Sequence, residues 1–193
     1  STVTSLTVGH TTPVSIASGK TLSGAITVTG GSIKLGEAGT LASSVSMSGG
    51  TLDADESLTL SGALTQAGNI TIDVADNKTL TYSGAALSLD NNTLTLSGEG
   101  RLSNTYVLGL NNANSKLLLS GSITVDRVST SLASLGLDVD GDSTVTSLSV
   151  GHTTPVSIAS GKILSGAITV TGGSIKLDEA GELASTIAMG GGV

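Results

Sequence analysis

Two aliphatic residues separated by one other recur at near-regular intervals along this chain, and that recurrence limits the folds open to it. The pairs are Val14/Ile16, Ile33/Leu35, Leu52/Ala54, Ile70/Ile72, Leu94/Leu96, Leu117/Leu119, Leu137/Val139 and Val156/Ile158. Spacing i, i+2 places both members on one side of an extended strand. Successive first members are 19, 19, 18, 24, 23, 20 and 19 residues apart. Further along each of the early intervals comes a lone Leu (Leu22, Leu41, Leu60, Leu80, Leu102), then usually another alternating pair such as Ile26/Val28, Val45/Met47 or Leu87/Leu89. Each period therefore holds three short apolar segments.

Turn-forming residues recur in phase with them. One corner carries Gly30-Gly31, Gly49-Gly50, Gly68-Asn69, Asn91-Asn92 and Gly172-Gly173, and a second carries Gly19, Gly39, Asn77, Gly100 and Gly161. The third has Ser23-Gly24, Ser61-Gly62, Ser83-Gly84, Ser103-Asn104 and Ser165-Gly166. These residue types tolerate tight turns and positive φ. Three strands and three turns per period describe a triangle that cannot bury its apolar face or pair its backbone alone. Stacked at about 4.8 Å per turn, it does both. The expected fold is all-β: a parallel β-helix, or β-solenoid, with 19–24 residues and three short strands per coil. The coil length and the lack of a strict hexapeptide rhythm favour the right-handed kind. A β-sandwich also has alternating strands, but it does not require three turn chemistries in register.

A longer repeat lies over the short one. Residues 1–50 and 143–192 align without gaps and with eight differences, which are mild at apolar sites (Val45 against Ile187) and freer at polar ones (Gly36 against Asp178, Thr40 against Glu182). The offset of 142 residues spans seven short periods. The chain thus reads as one continuous solenoid over 1–193, with one long unit at 1–142 and the start of a near-identical unit at 143–193.

Composition narrows the partners. With no Phe or Trp and two Tyr, the core must be built from Val, Ile, Leu and Ala. The absence of Cys excludes a disulfide framework and a Cys-based zinc site. The net charge is −7 and the eight Lys and Arg are scattered, so no basic stripe follows a phosphate backbone and nucleic acid is not an expected partner. No apolar run approaches the roughly 20 residues of a membrane span, so this segment is not expected to insert into a membrane.

The stretches "TIDVADNKTLTYSG" (71–84) and "NTLTLSGEGRLSN" (92–104) resemble the repeats of bacterial autotransporter passengers and filamentous-haemagglutinin-type adhesins. The shared elements are a "TLTLSG" strand and turn and a "VADNKTL" or "IASGKTL" lead-in, at 74–80 and 16–22. What this resemblance implies is a bacterial, secreted or surface-exposed β-helix serving as a stalk, filament or adhesive rod. It supplies no catalytic residue, because none of the matched motifs is catalytic.

Few residues invite a chemical role. Asp138, Asp140 and Asp142 in "DVDGD" resemble the first half of an oxygen-ligand calcium loop, but no Glu completes it. Alternation with Leu137 and Val139 would instead point the three carboxylates outward. His10 and His152 sit in "GHTTP" bends without a second ligand nearby. Asn91, Asn92, Asn111, Asn112 and Asn114 mark the corners of the longest coils, where amide side chains can bridge the stack. Those coils, roughly 73–116, are where loops could carry binding specificity.

The reading is therefore a non-enzymatic, extracellular or cell-surface rod, lengthened by duplication of a seven-coil unit. Neither end of the pattern has a helix or polar cap, and open strand edges would favour end-to-end stacking on a second copy. Beyond calcium no cofactor is expected; a surface glycan or a ligand on a host or neighbouring cell is the other expected partner. Two alternatives use the same fold. A polysaccharide-binding or -degrading β-helix would need converging carboxylates and aromatic platforms, whereas Arg occurs at 101 and 127 and Tyr at 82 and 106 alone. An ice-binding solenoid needs a persistent rank of outward Thr, but Thr27 and Thr29 give way to Ser46 and Ser48, then Thr65 and Gln66-Ala67.

Overall fold

A computed structural model describes residues 1–191 apart from 37, 88, 111, 131–133 and 152. Every described element is a β-strand, and every strand pair is parallel. One nine-stranded sheet contains, in chain order, Val14–Ile16, Ser32–Leu35, Thr51–Ala54, Ile70–Val74, Thr93–Gly98, Lys116–Leu119, Gly136–Val139, Val156–Ile158 and Ile175–Leu177. Each of these strands opens one coil of the solenoid, numbered 1 to 9 below. A larger sheet forms the other two faces. In coils 1 and 6 to 9 a long strand such as Thr21–Val28, Ser143–Val150 or Ile163–Val170 runs across both faces. In coils 2 and 3 the same path is broken into separate short strands, Thr40–Leu41 with Val45–Met47 and Leu58–Leu60 with Leu64–Gln66.

Glycine decides whether the long strands can bend there. Gly24 and Gly166 take φ of 124° and 125°, and a Cβ on them would lie 1.9 Å from the Val3 carbonyl oxygen and 1.7 Å from that of Val145. Pairing register slips at these points, between Thr2 and Ser5 and between Val145 and Leu148. Such bulges bend a strand without ending its ladder. Coil 2 has Ser43-Ser44 at this corner instead, and its strand stops.

The core is a set of aliphatic columns. All eight pairs read from the sequence are on the nine-stranded sheet, and apart from the half-exposed Val14 in the first coil both members of each are buried. Leu22, Leu41, Leu60, Leu80 and Leu102 line the second face, while Ile26/Val28, Val45/Met47 and Leu87/Leu89 line the third. Like stacks on like: Leu94 pairs with Leu117 and Leu117 with Leu137. Full burial of such a side chain is worth about 1.5–3 kcal/mol, so a core without Phe or Trp remains adequate when nearly every coil contributes several.

The ladder differs from the sequence alignment at one step. Leu52 pairs with Ile72, not with Ile70, so that interval is 20 residues and not 18. The strand Ile70–Val74 buries three side chains and bridges two registers. Its Ile72 and Val74 pair back to Leu52 and Ala54, while Ile70 and Ile72 pair forward to Leu94 and Leu96. A two-residue slip keeps every apolar side chain inside, because strand faces alternate with period two. As a result the column that starts at Val14 reaches coil 8 at Ile158, the sequence counterpart of Ile16. The two long repeats are seven strands apart in the sheet, but they stand one pleat out of line on this face.

One turn also departs from expectation. The second corner was assigned Gly39, yet the left-handed residue in coil 2 is Ala38, at φ 52°, and its counterpart in coil 9 is Ala180, at φ 58°. The turn is closed by the Gly39 amide donating to the Gly36 carbonyl at 2.9 Å. That bond fixes residue 38 as the third of four, the place Gly19 and Asn77 hold in their own coils.

Candidate functional site

The surface is most irregular where coil 5 meets coil 6. Leu102 pairs with Val125 and Leu108 with Val128, so coil 5 uses six residue steps to cover a corner that coil 6 covers in three. The surplus, Thr105-Tyr106-Val107, arches out of the stack. Tyr106 is 50% exposed and Val107 47%. Beneath the arch the buried Asn104 acts as a clamp. Its Nδ2 donates to the Tyr106 carbonyl at 2.7 Å and to the Arg127 carbonyl at 2.9 Å, and its Oδ1 accepts the Arg127 amide at 3.3 Å. A buried amide with donors and acceptors both engaged holds its loop rigidly.

Both arginines of the chain border this arch. Arg127 donates from a terminal guanidinium nitrogen to the Thr105 carbonyl at 3.2 Å and is otherwise exposed. Arg101 lies on the second face, donating through Nε (3.0 Å) and a terminal nitrogen (2.6 Å) to Oδ1 of Asp126. Asp126 also accepts from Ser103 on Oδ2 at 2.8 Å and from Thr146 on Oδ1 at 3.3 Å. The carboxylate is thus tied to coils 5 and 7 at once. Arg101, Asp126, Arg127, Thr146 and Ser147 line a shallow open groove beside the arch. On the inner side of the arch a narrow apolar crevice is lined by Leu64, Tyr82, Leu87, Leu102, Tyr106 and Val107. Tyr82 is buried in the column between Leu60 and Asn104, its hydroxyl accepting the Leu64 amide at 3.2 Å and donating to the Ala85 carbonyl. Burial pushes its phenol above the usual range.

The structure separates the residues of "DVDGD". Asp138 faces outward from coil 7 and pairs with Lys116 at 2.5 Å, while Asp142 accepts the Ile163 amide at 3.1 Å. Asp140 is exposed at the corner between them. Among the described residues no group of three His, Cys, Asp or Glu side chains is arranged to hold a metal. Nδ1 of His10 accepts the Thr12 amide at 3.1 Å, which fixes a local bend. His152 and Asn111 lie outside the described residues. The other corner amides do bridge coils: Asn112 donates to Asp90 at 2.7 Å, Asn114 to Asn91 at 3.4 Å, and Asn69 accepts the Thr93 amide at 2.8 Å.

A carboxylate column crosses the nine-stranded sheet. Asp53 pairs in register with Asp73 and has Asp55 two residues on. Partial burial, then Asp55 and Asp73, push the Asp53 carboxyl above its usual range. Lys34 bonds to Asp55 and holds that carboxyl below its usual range. Hydroxyl columns also occur. On the third face Thr7, Thr27, Ser46 and Thr65 follow one another, and on the second Thr21, Thr40, Thr59 and Thr81 do, ending at Ser103. The second of these was not among the positions compared in the sequence.

No family model, curated protein or solved structure matches the chain. Among the described residues no helix is long and apolar enough to cross a membrane.

Neither the arch nor its partners stood out in the sequence. Tyr106 and Arg127 are 21 positions apart, and they meet only because one coil length separates them. The usable signal was the unequal length of adjacent coils together with the rarity of both residue types.

Proposed function

We propose that this chain is a segment of a bacterial extracellular or cell-surface rod whose work is to span distance and present a surface, without catalysis. The observation that carries this reading is the unbroken nine-stranded sheet, in which two near-identical sequences recur seven strands apart. Adding a unit to such a column adds length while leaving each coil in contact with neighbours alone. At about 4.8 Å per coil, nine coils make a column of about 43 Å, and each further unit adds about 34 Å. The resemblance to adhesin repeats supports the extracellular setting, as does a core that uses no Cys. End-to-end stacking through strand edges is the self-association such a column offers.

Small-angle scattering on this chain and on a version carrying one more copy of residues 51–192 tests the proposal. The longest dimension should grow by about 34 Å with an unchanged cross-section. Growth in cross-section, or a compact shape for either protein, would refute it.

One observation favours a second reading. The Thr21, Thr40, Thr59 and Thr81 column repeats a methyl and a hydroxyl at strand spacing over four coils, as an ice-binding face requires. A thermal-hysteresis measurement that is positive for the chain and abolished by Thr59→Lys would establish it.

A further inference from the structure

We propose that the arch of coil 5 and the groove beside it form a binding site for an anionic saccharide, a sugar chain carrying uronic-acid carboxylates. The site shares with the rod reading only the solenoid fold, so a rod that binds no uronate would leave that reading intact. Three features of the corner point to this ligand class.

The first is the aromatic ring. Of the two tyrosines, Tyr82 is buried while Tyr106 is held half-exposed on a loop longer than its neighbour's. The Asn104 clamp makes that exposure a fixed feature of the coil. A rigid ring with Val107 beside it offers an apolar platform to the flat C–H face of a sugar.

The second is the charge. The chain carries −7 overall, yet its two guanidiniums meet here against the single carboxylate of Asp126, leaving one local positive charge. Asp126 is saturated by Arg101, Ser103 and Thr146 and serves to orient Arg101. Among the described residues Arg127 has no carboxylate partner, and its one side-chain bond is to a backbone carbonyl. A free planar fork is suited to a carboxylate from outside.

The third is the shape. The groove floor is open and shallow and carries the Thr146 and Ser147 side chains. That floor matches a ligand that presents hydroxyls along its edges with an isolated negative charge. An acidic peptide, with carboxylates at successive residues, would bring a second charge against Asp126.

Calorimetric titration with galacturonate and glucuronate trisaccharides tests the site, with their methyl esters as neutral controls and triglutamate as the acidic peptide. At least one uronate should bind, more tightly than its ester and less tightly as salt rises. Tyr106→Ala and Arg127→Gln should each weaken binding about ten-fold or more, with β-sheet circular dichroism unchanged because both side chains are exposed. No binding of either uronate would overturn the proposal. So would affinity unchanged in both variants, or equal binding of triglutamate.

Discussion

Replacing Gly121 by Ala should break the column at one interface. Gly98, Gly121 and Gly141 lie in register at the corner that ends the first face of coils 5, 6 and 7. A Cβ on Gly121 would sit 2.2 Å from the Gly98 carbonyl oxygen and 2.7 Å from its nitrogen, where real Cβ atoms essentially never come within 3.0 Å. Both atoms belong to the backbone, so no side chain can swing aside, and the corner must open by about 1 Å. Opening of that size would pull apart the Ser120 amide bond to the Leu96 carbonyl at 2.9 Å. It would also strain the Ser143 hydroxyl bond to the Gly121 carbonyl at 2.8 Å. Each such bond is worth about 1 kcal/mol net, and forced overpacking costs about 1–3 kcal/mol more. The expected loss is about 3 kcal/mol. With a urea slope of about 2 kcal/mol/M, the unfolding midpoint would fall by about 1.5 M. Gly121 does not have positive φ, so the effect isolates close approach from backbone strain. Gly109→Ala is the matched control: a Cβ there meets nothing within 4 Å, and its midpoint should stay within about 0.5 kcal/mol of the parent. Urea unfolding followed by circular dichroism decides the matter. Equal shifts in the two variants, or none in Gly121→Ala, would refute the reasoning.

Thr130 is fully buried between Leu110 and Val150 in the third-face column, and its hydroxyl finds no partner among the described residues. Thr130→Val should therefore raise stability by about 1 kcal/mol in the same assay. Asp53→Asn should stabilise the fold near neutral pH. A carboxyl whose folded value is raised binds its proton more tightly on folding, so its penalty is complete above that value and disappears as pH falls below the usual carboxylate range. The variant's higher urea midpoint at about pH 7 should accordingly vanish near pH 3; an advantage that persisted there would exclude the carboxylate column as its cause. Ala38→Gly should relieve about 1–2 kcal/mol of left-handed strain and return about half of it as unfolded-state entropy, a net gain of about 0.5–1 kcal/mol in the unfolding midpoint.

The sheet faces could be read from residues alone because alternation is local: Leu137, Asp138 and Val139 carry their own inside–outside pattern. Register could not. Ile70, Ile72 and Val74 are all aliphatic and all inward, so pairing Leu52 with Ile70 or with Ile72 buries the same kind of surface. Hydrogen bonding across the whole stack makes the choice. Ala38 escaped notice for a related reason, since the neighbouring Gly39 is the better left-handed residue by propensity, but turn closure at Gly36 decides the position. The arch escaped because its meaning lies in a difference between coils. Nothing in Thr105-Tyr106-Val107 marks it as protruding until coil 6 is seen to cross the same corner with three fewer residues.

The five-residue strand Ile70–Val74 has a consequence for how such columns can be assembled. It accepts a partner in one register below and another above, each time presenting two aliphatic side chains to the inside. A coil of this kind works as an adapter, able to join modules whose ladders are offset by one pleat. Recombination between tandem copies then need not fall at matching positions: crossovers displaced by two residues would still yield a closed, stacked chain, while those displaced by one would turn the core outward. Length in this molecule would therefore be heritable in steps that are forgiving in pairs and intolerant of odd numbers.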